Sequence, residues 1–387
     1  MNNGPECPQK RSDISEIASQ SHDELVSWRC LWRRLGSKIR VPLWLLLVFS
    51  ILFYVAIKYR AESNLLTVFL SYLPAWTLAS LPVFCLLTSV IFANWRLSFA
   101  SAVVAVTGTL WLGGFHLRVP WRERQSVKEL QTLKVMTYNR GQGASRVLGD
   151  FQRQIDADIA VFQDAGRRLS QISEMPEFSG FRHGQQVGEF VLISRWPIVE
   201  SAALDLDWTE TPGRRYRAGC RTIVDWDGTL VAVYNLHLPT PRDLLYWYAS
   251  RGTFLYGLLG LVPGTPLAER HLLYLRPWRA RVEMISRISA LVRDEVVPVV
   301  LMGDLNMPPA GESYQILCDL MQDAHMAAGS GFGSTFPANL RSIARVGSPW
   351  LRIDHIFLSG HWKVILCESG LNYSSQHLPV GAILRLR

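Results

Sequence analysis

Residues 297–306, VPVVLMGDLN, read as an apolar run that halts at Gly303 and ends in a carboxylate and an amide, Asp304 and Asn306. Four to eight apolar and β-branched positions closed by Gly, Asp or Asn signal a strand running into a turn. The arrangement recurs on either side. LKVMTYN (133–139) ends at Asn139 and ADIAVFQD (157–164) at Asp164. TLVAVYNLHL (229–238) carries Asn235 and His237, RIDHIFLSG (352–360) brings Asp354 and His355, and SSQHLPV (374–380) holds His377. EFVLISRWPI (189–198), CRTIVDW (220–226) and WKVILCES (362–369) are further strand candidates. A helix is expected from Trp278 to about Arg293, where Val282, Ile285, Ile288 and Val292 share a face.

A lone Asp or Asn at a strand end is ordinarily a turn residue. Carboxylates, amides and histidines at successive strand ends are expected instead to converge on one cleft. Oxygen donors suit a hard divalent cation such as Mg²⁺. A histidine beside such a cation suits general-base work or phosphate contact. Many strands with few helices point to sheets covered by helices, and the region 129–387 is long enough for one core.

Taken in order, the landmarks TYN, FQD, SRWPI, NLHL, GDLN, STF, RIDHIF and SQHLPV resemble the endonuclease/exonuclease/phosphatase superfamily. That superfamily includes DNase I-like nucleases, neutral sphingomyelinases and inositol phosphatases. The resemblance covers about Leu133 to Leu386 and implies an α+β fold, a four-layer α/β/β/α sandwich. It implies that Asp164 is a metal carboxylate, with Asn139 the amide near metal and phosphate, and that Asn235 meets substrate phosphate. It further implies that His237 contacts phosphate, that Asp304 positions or deprotonates the attacking water, and that Asn306 orients the transition state. Asp354 would orient His377, which acts on phosphate or leaving group. The implied cofactor is Mg²⁺ or Mn²⁺. Two positions depart from the pattern. Asp164 stands where the family has Glu and reaches about 1.5 Å less. Gln376 stands where the family has Asp and lacks its charge, so a working site would use one divalent ion.

The rest of the chain is richer in apolar residues. Of 387 residues 49% are hydrophobic and only 19% charged, against roughly 25% charged in soluble domains. This excludes a disordered or collagen-like chain and argues against a purely soluble enzyme. Six cysteines without a CxxC pair or Cys/His cluster suggest neither a disulfide scaffold nor structural zinc. Residues 1–28 read as a flexible tail and 29–128 as a membrane anchor, with spans near 41–57, 65–93 and 97–115; a spanning helix needs about 20 apolar residues. Arg29, Arg33, Arg34, Lys38 and Arg40 precede the first span with no acid among them, which favours a cytoplasmic N-terminus. Three spans then put the C-terminal domain outside the cytoplasm, on an integral protein of the plasma (inner) membrane.

An apolar insertion near 243–275 carries Tyr, Trp and Leu, with Arg251 and Arg270 in it and Arg242 and Arg276 at its edges, the composition of an interfacial element. Arg214, Arg215, Arg217 and Arg221 form a second basic patch, a candidate phosphate path. The formal charge of +8 gathers mainly beside apolar segments rather than in a stripe, which favours a membrane over nucleic acid. Three spans ahead of such a domain also resemble bacterial membrane proteins linked to glycopeptide-antibiotic resistance, implying a lipid carrier as substrate. The expected function is metal-dependent hydrolysis of a phosphoester or lipid-linked (pyro)phosphate. The alternatives are a membrane-tethered nuclease and a catalytically impaired binding domain.

Overall fold

The computed structural model describes residues 11–118, 131–141, 149–207, 215–240, 259–338, 349–371 and 375–387. Its first element, α1 (Arg11–Arg60), corrects the expected tail: the chain is helical from Arg11, and only 1–10 of that tail lie outside the described residues. No proline interrupts positions 11–41, so a helix seeded in the apolar run propagates back through them cooperatively. Arg34–Ser63 is long and apolar enough to cross a membrane.

The expected span 65–93 is broken. Here α2 (Leu65–Ser71) is followed by Pro74, a 3₁₀ turn at Ala75–Ala79 and α3 (Ser80–Ile91), with a 119° bend between the two halves. Proline has no N–H to continue the ladder and its ring obstructs the preceding turn. The next helix, α4 (Trp95–Leu112), is again long and apolar enough to cross. Two helices therefore qualify as spans, or three if the bent pair counts as one.

Packing does not divide the chain at 128/129. One compact unit holds the chain up to Phe53 together with Ala79–Gly108. Its interior includes Leu43, Leu47, Cys85 and Leu97. The other holds Tyr54–Leu78 with Thr109–Arg387, because the buried face of α2, Leu65 and Val68, packs on Leu275 and Trp278.

The strand runs build two six-stranded sheets in this second unit. β1 (Thr132–Asn139), β2 (Ile159–Gln163), β3 (His183–Val187) and β4 (Phe190–Ser194) share one sheet with two late strands. The other contains β5 (Ile198–Asp207), β6 (Arg215–Trp226), β7 (Thr229–His237), β8 (Val299–Asp304), β9 (Gln322–Asp323) and β10 (Asp354–Leu358). With β11 (Trp362–Ser369) and β12 (Val380–Leu386), the orders are β11-β12-β1-β2-β4-β3 and β5-β6-β7-β8-β10-β9.

Alternation assigns each strand two faces. Leu133, Val135, Val161, Val231, Val233, Val300, Met302 and Ile356 meet between the sheets. On the outer face of the first sheet, Met136, Tyr138 and Phe162 pack against α5 (Gly149–Ile155) and α6 (Leu169–Ser173) through Phe151, Ile155 and Ile172. On the second, Ala232, Tyr234 and Leu301 pack against α7 (Pro266–Arg293) and α8 (Glu312–Cys318) through Met284, Ile285, Ile288 and Leu317. The short α9 (Ala324–Ala328) adds Ala324 and Ala328 to the intersheet core. This is the α/β/β/α sandwich.

α7 starts well before Trp278. Thr265 caps it by accepting from Ala268 N–H at 3.3 Å, and Pro266 occupies the first turn, where a missing N–H costs nothing. The end of the apolar insertion, 266–275, is thus helix; its part 243–258 lies outside the described residues.

Candidate active site

The face that is apolar along each strand turns polar at one end. Asn139 follows Val135 and Thr137 on β1, His237 follows Val233 and Asn235 on β7, and Asp304 follows Val300 and Met302 on β8. Side chains two apart share a face, so these groups point into the gap between the sheets. Register aligns them: Asn139 pairs with Gln163, His237 with Asp304, and Asp304 with Asp354. Gly303 makes this register possible. Its φ is +146°, and a Cβ there would lie 1.9 Å from the Leu236 carbonyl oxygen.

Asp304 is the centre. Its Oδ2 accepts from Asn139 Nδ2 at 2.8 Å and its Oδ1 from the Asn306 backbone N–H at 2.9 Å. Two imidazoles turn Nε2 toward the same Oδ2, His237 at 3.5 Å and His377 at 3.6 Å. Behind each ring stands its own carboxylate. His237 Nδ1 lies 2.9 Å from Glu189 Oε1, and His377 Nδ1 lies 2.9 Å from Asp354 Oδ2. A carboxylate on Nδ1 fixes which nitrogen faces the site. Burial alone would pull both imidazoles down. For His237 the acids Glu189, Asp304 and Asp164 outweigh burial and push the ring up to about 9. For His377, Asp354 and Asp304 do the same, again to about 9. In both, the neighbouring acids favour the charged ring, and both rings bear on one buried carboxylate.

Asp164 lies just beyond β2 with a left-handed backbone, φ +50°. Ligand atoms of Asp164, Glu189 and His237 lie within 4.8 Å of one another, as do those of Asp304, Asp354 and His377. Burial and the adjoining Glu189 raise the Asp164 carboxyl. Burial also acts on Glu189, but the His237 imidazolium holds it below the usual range. The Ala165 N–H donates to the Glu189 carbonyl at 2.9 Å, tying the Asp164 turn to the β3–β4 hairpin. The shorter Asp164 side chain thus comes with a second carboxylate, and two carboxylates facing one gap fit a hard divalent ion completed by water. Glu189 carries no signal in the sequence beyond an acid following a glycine.

Residues 136–377, more than half of the chain, match the family described as Endonuclease/Exonuclease/phosphatase family. The chain belongs to this family. No curated protein matches it. Among solved structures it is similar to an endonuclease/exonuclease/phosphatase family protein from Bacteroides thetaiotaomicron, at 18% identity over 66% of this chain and 98% of that one, TM-score 0.48. It is similar to one from Beutenbergia cavernae at 21% identity over 66% and 72%, TM-score 0.44. A mannosyl-6-phosphatase from Bacteroides thetaiotaomicron shares 20% identity over 65% and 99%, TM-score 0.43.

The other residues expected from the endonuclease/exonuclease/phosphatase pattern stand in varied settings. Asn235 is fully buried. Its amide nitrogen donates to the Phe162 and Val191 carbonyls, both at 3.2 Å, and its Oδ1 accepts from Gln163 Nε2 at 2.7 Å. Asn235 stitches the two sheets together and has nothing left for substrate phosphate. Asn139 gives its amide N–H to Asp304 and accepts from Gly141 N–H at 2.8 Å; it orients the central carboxylate. Asn306 donates one side-chain N–H to the Leu238 carbonyl at 2.9 Å. The Gln376 side chain is exposed, while its neighbour Ser375 pins the turn by donating to the Asn139 carbonyl at 2.8 Å and accepting from His377 N–H at 3.1 Å. The basic patch is also different. Arg217 pairs with Asp205 at 2.8 Å and Arg221 with Glu295 and Glu200, while Arg214 lies outside the described residues.

Proposed function

We propose that this chain is a membrane-anchored, divalent-metal-dependent phosphohydrolase that directs water onto a phosphoester or a lipid-linked (pyro)phosphate. The observation that carries the reading is the placement of two carboxylate-backed imidazoles on the single buried carboxylate of Asp304. Asp304 accepts the proton of the attacking water. The His237 and His377 imidazolium groups bind the phosphoryl oxygens, and His377 hands its Nε2 proton to the leaving oxygen. Asp354 stabilises the charged ring and keeps its orientation. Asp164 and Glu189 would hold one Mg²⁺ or Mn²⁺, which supplies charge neutralisation and polarises a phosphoryl oxygen. Pairing of Arg217 and Arg221 with acids leaves those two residues poorly suited to a nucleic-acid track.

The extracytoplasmic placement rests on Arg29, Arg33, Arg34, Lys38 and Arg40 ahead of the first apolar run, which favour a cytoplasmic N-terminus. Exposed Leu259, Leu261, Val262, Leu272 and Leu273 favour a lipid surface as the source of substrate.

The test is hydrolysis of an aryl phosphodiester and of a polyprenyl diphosphate by detergent-solubilised full-length protein. Turnover with Mg²⁺ or Mn²⁺ that stops with chelator, and is lost in Asp304→Ala and Asp164→Ala, is the expected result. Turnover that survives chelator would sink the metal assignment. Absence of both turnover and metal binding in folded protein would favour a non-catalytic binding domain.

A further inference from the structure

The end of α1 and the stretch from it to the bend are bonded to the loop that follows Asp304. Lys58 Nζ donates to the Pro309 carbonyl at 2.6 Å, and the Lys58 carbonyl accepts from Gly311 N–H at 2.8 Å. The Glu62 carboxylate accepts from the Glu312 and Ser313 N–H groups at 2.6 and 3.3 Å, closing the open donors that begin α8. Nearest the site, Tyr72 Oη donates to the Asn306 carbonyl at 2.7 Å. Arg281 of α7 joins it: Nη2 donates to the Asn306 carbonyl at 2.7 Å and Nη1 to Tyr72 Oη at 3.1 Å. The Tyr72 and Trp278 rings lie 5.7 Å apart, and the Arg281 guanidinium sits over Trp278.

This clamp closes on a residue that needs it. Asn306 has φ +48°, a left-handed conformation that non-glycine residues adopt only when their surroundings hold it. Its N–H is the group that donates to Asp304 Oδ1. Arg281 Nη2 also donates to the Leu305 carbonyl at 3.3 Å, the oxygen of the peptide group that carries the Asn306 N–H, so carbonyls on both sides of the Asn306 Cα are held and a turn about it would move that N–H off Asp304.

We propose that Tyr72 is a positioning residue for catalysis: together Tyr72 and Arg281 hold the carbonyls of Leu305 and Asn306 and so aim the Asn306 N–H at Asp304. The stretch between the apolar helices is then part of the catalytic apparatus and not only a tether. The inference rests on the reading of Asp304 as the water-activating group, and its test has an arm that does not depend on turnover.

The experiment uses full-length protein in detergent, with Tyr72→Phe beside Ser71→Ala, whose hydroxyl, among the described residues, donates to the Val68 carbonyl. Amide hydrogen exchange is followed across 304–313, and kcat and KM are measured on an aryl phosphodiester with Mg²⁺. In Tyr72→Phe, exchange in 304–313 is expected to quicken while the β1 and β2 amides stay protected. A fall in kcat of about 10- to 100-fold is expected, with KM within about twofold, and Ser71→Ala should match wild type. Unchanged exchange in 304–313, or exchange that quickens over the whole chain, overturns the proposal whatever happens to kcat. So does quickened local exchange with unchanged kcat in an active enzyme. If wild type turns over nothing with any metal, quickened local exchange upholds the clamp while the phosphohydrolase reading fails. Should Tyr72→Phe not fold, Arg281→Lys, whose single ammonium cannot reproduce the planar fork of two nitrogens, is read the same way.

Discussion

Glu189 Oε1 and His237 Nδ1 meet at 2.9 Å although 48 residues separate them in the chain. The pair joins the β3–β4 hairpin of one sheet to the end of β7 in the other, and it places a second carboxylate beside that of Asp164. Glu189→Gln keeps a hydrogen-bond acceptor but removes the charge. It is expected to lower kcat/KM by about 10- to 100-fold and to raise the Mg²⁺ concentration needed for half-maximal rate. A kinetic titration with metal checks both. Wild-type values in the variant would remove Glu189 from the site.

Asp304→Asn changes one atom of a residue that is 1% exposed and leaves an acceptor oxygen for the Asn306 N–H. Turnover should fall by about 10²- to 10⁴-fold, the usual contribution of a general base. Thermal unfolding should show a folded protein. A variant retaining a tenth of wild-type activity would mean that another group takes the proton.

Gly303→Ala tests the register itself. An alanine Cβ would meet the Leu236 carbonyl at 1.9 Å, with a φ of +146° that L residues rarely adopt. The two strands cannot separate without moving His237 away from Asp304. Destabilisation of at least about 3 kcal/mol is expected, read as lost soluble yield or a large drop in unfolding temperature. A stable, active Gly303→Ala protein would contradict the strand pairing.

Stability should fall in mild acid through His325. Its ring is buried and stands near the Arg352 guanidinium, so its pKa is pulled down to about 4. Nε2 lies 3.1 Å from the Gly331 carbonyl, as suits a neutral ring donating there. The unfolded chain takes up this proton near pH 6.5, before the folded protein does. His325 thus contributes fully above pH 6.5, and its contribution is lost as pH falls toward 4, roughly 3 kcal/mol across that window. Denaturant unfolding of wild type and His325→Gln at pH 4.5 and 7 measures it. The variant should show the smaller pH dependence, and equal dependence would reject the assignment.

The sandwich was legible because β1, β7 and β8 keep one apolar face until their last residues, and His237 and Asp304 appear where that face turns polar, with Asp354 at the start of β10 and His377 just ahead of β12. Other features hide for physical reasons. Glu189 reaches the site from a hairpin, where no periodicity marks a functional acid. Asn235 has the same motif position and chemistry as a phosphate ligand, and only three-dimensional packing reveals that carbonyls and Gln163 surround it. Arginines 217 and 221 read as a free basic patch because their acids lie on neighbouring elements. The expected span 65–93 concealed two environments, since the same leucines and valines that suit lipid also suit the face of α7.

The placement of Tyr54–Leu78 has a consequence for how the protein is made. Tyr72 finds Arg281 only 209 residues later, and synthesis at about 5–20 residues per second puts about 10–40 s between the two. During that interval the linking stretch waits with its eventual partner unmade. A chain stalled before α7 is therefore expected to display the Leu65 and Val68 face to chaperones or to lipid. Completion of α7 would be the event that withdraws it.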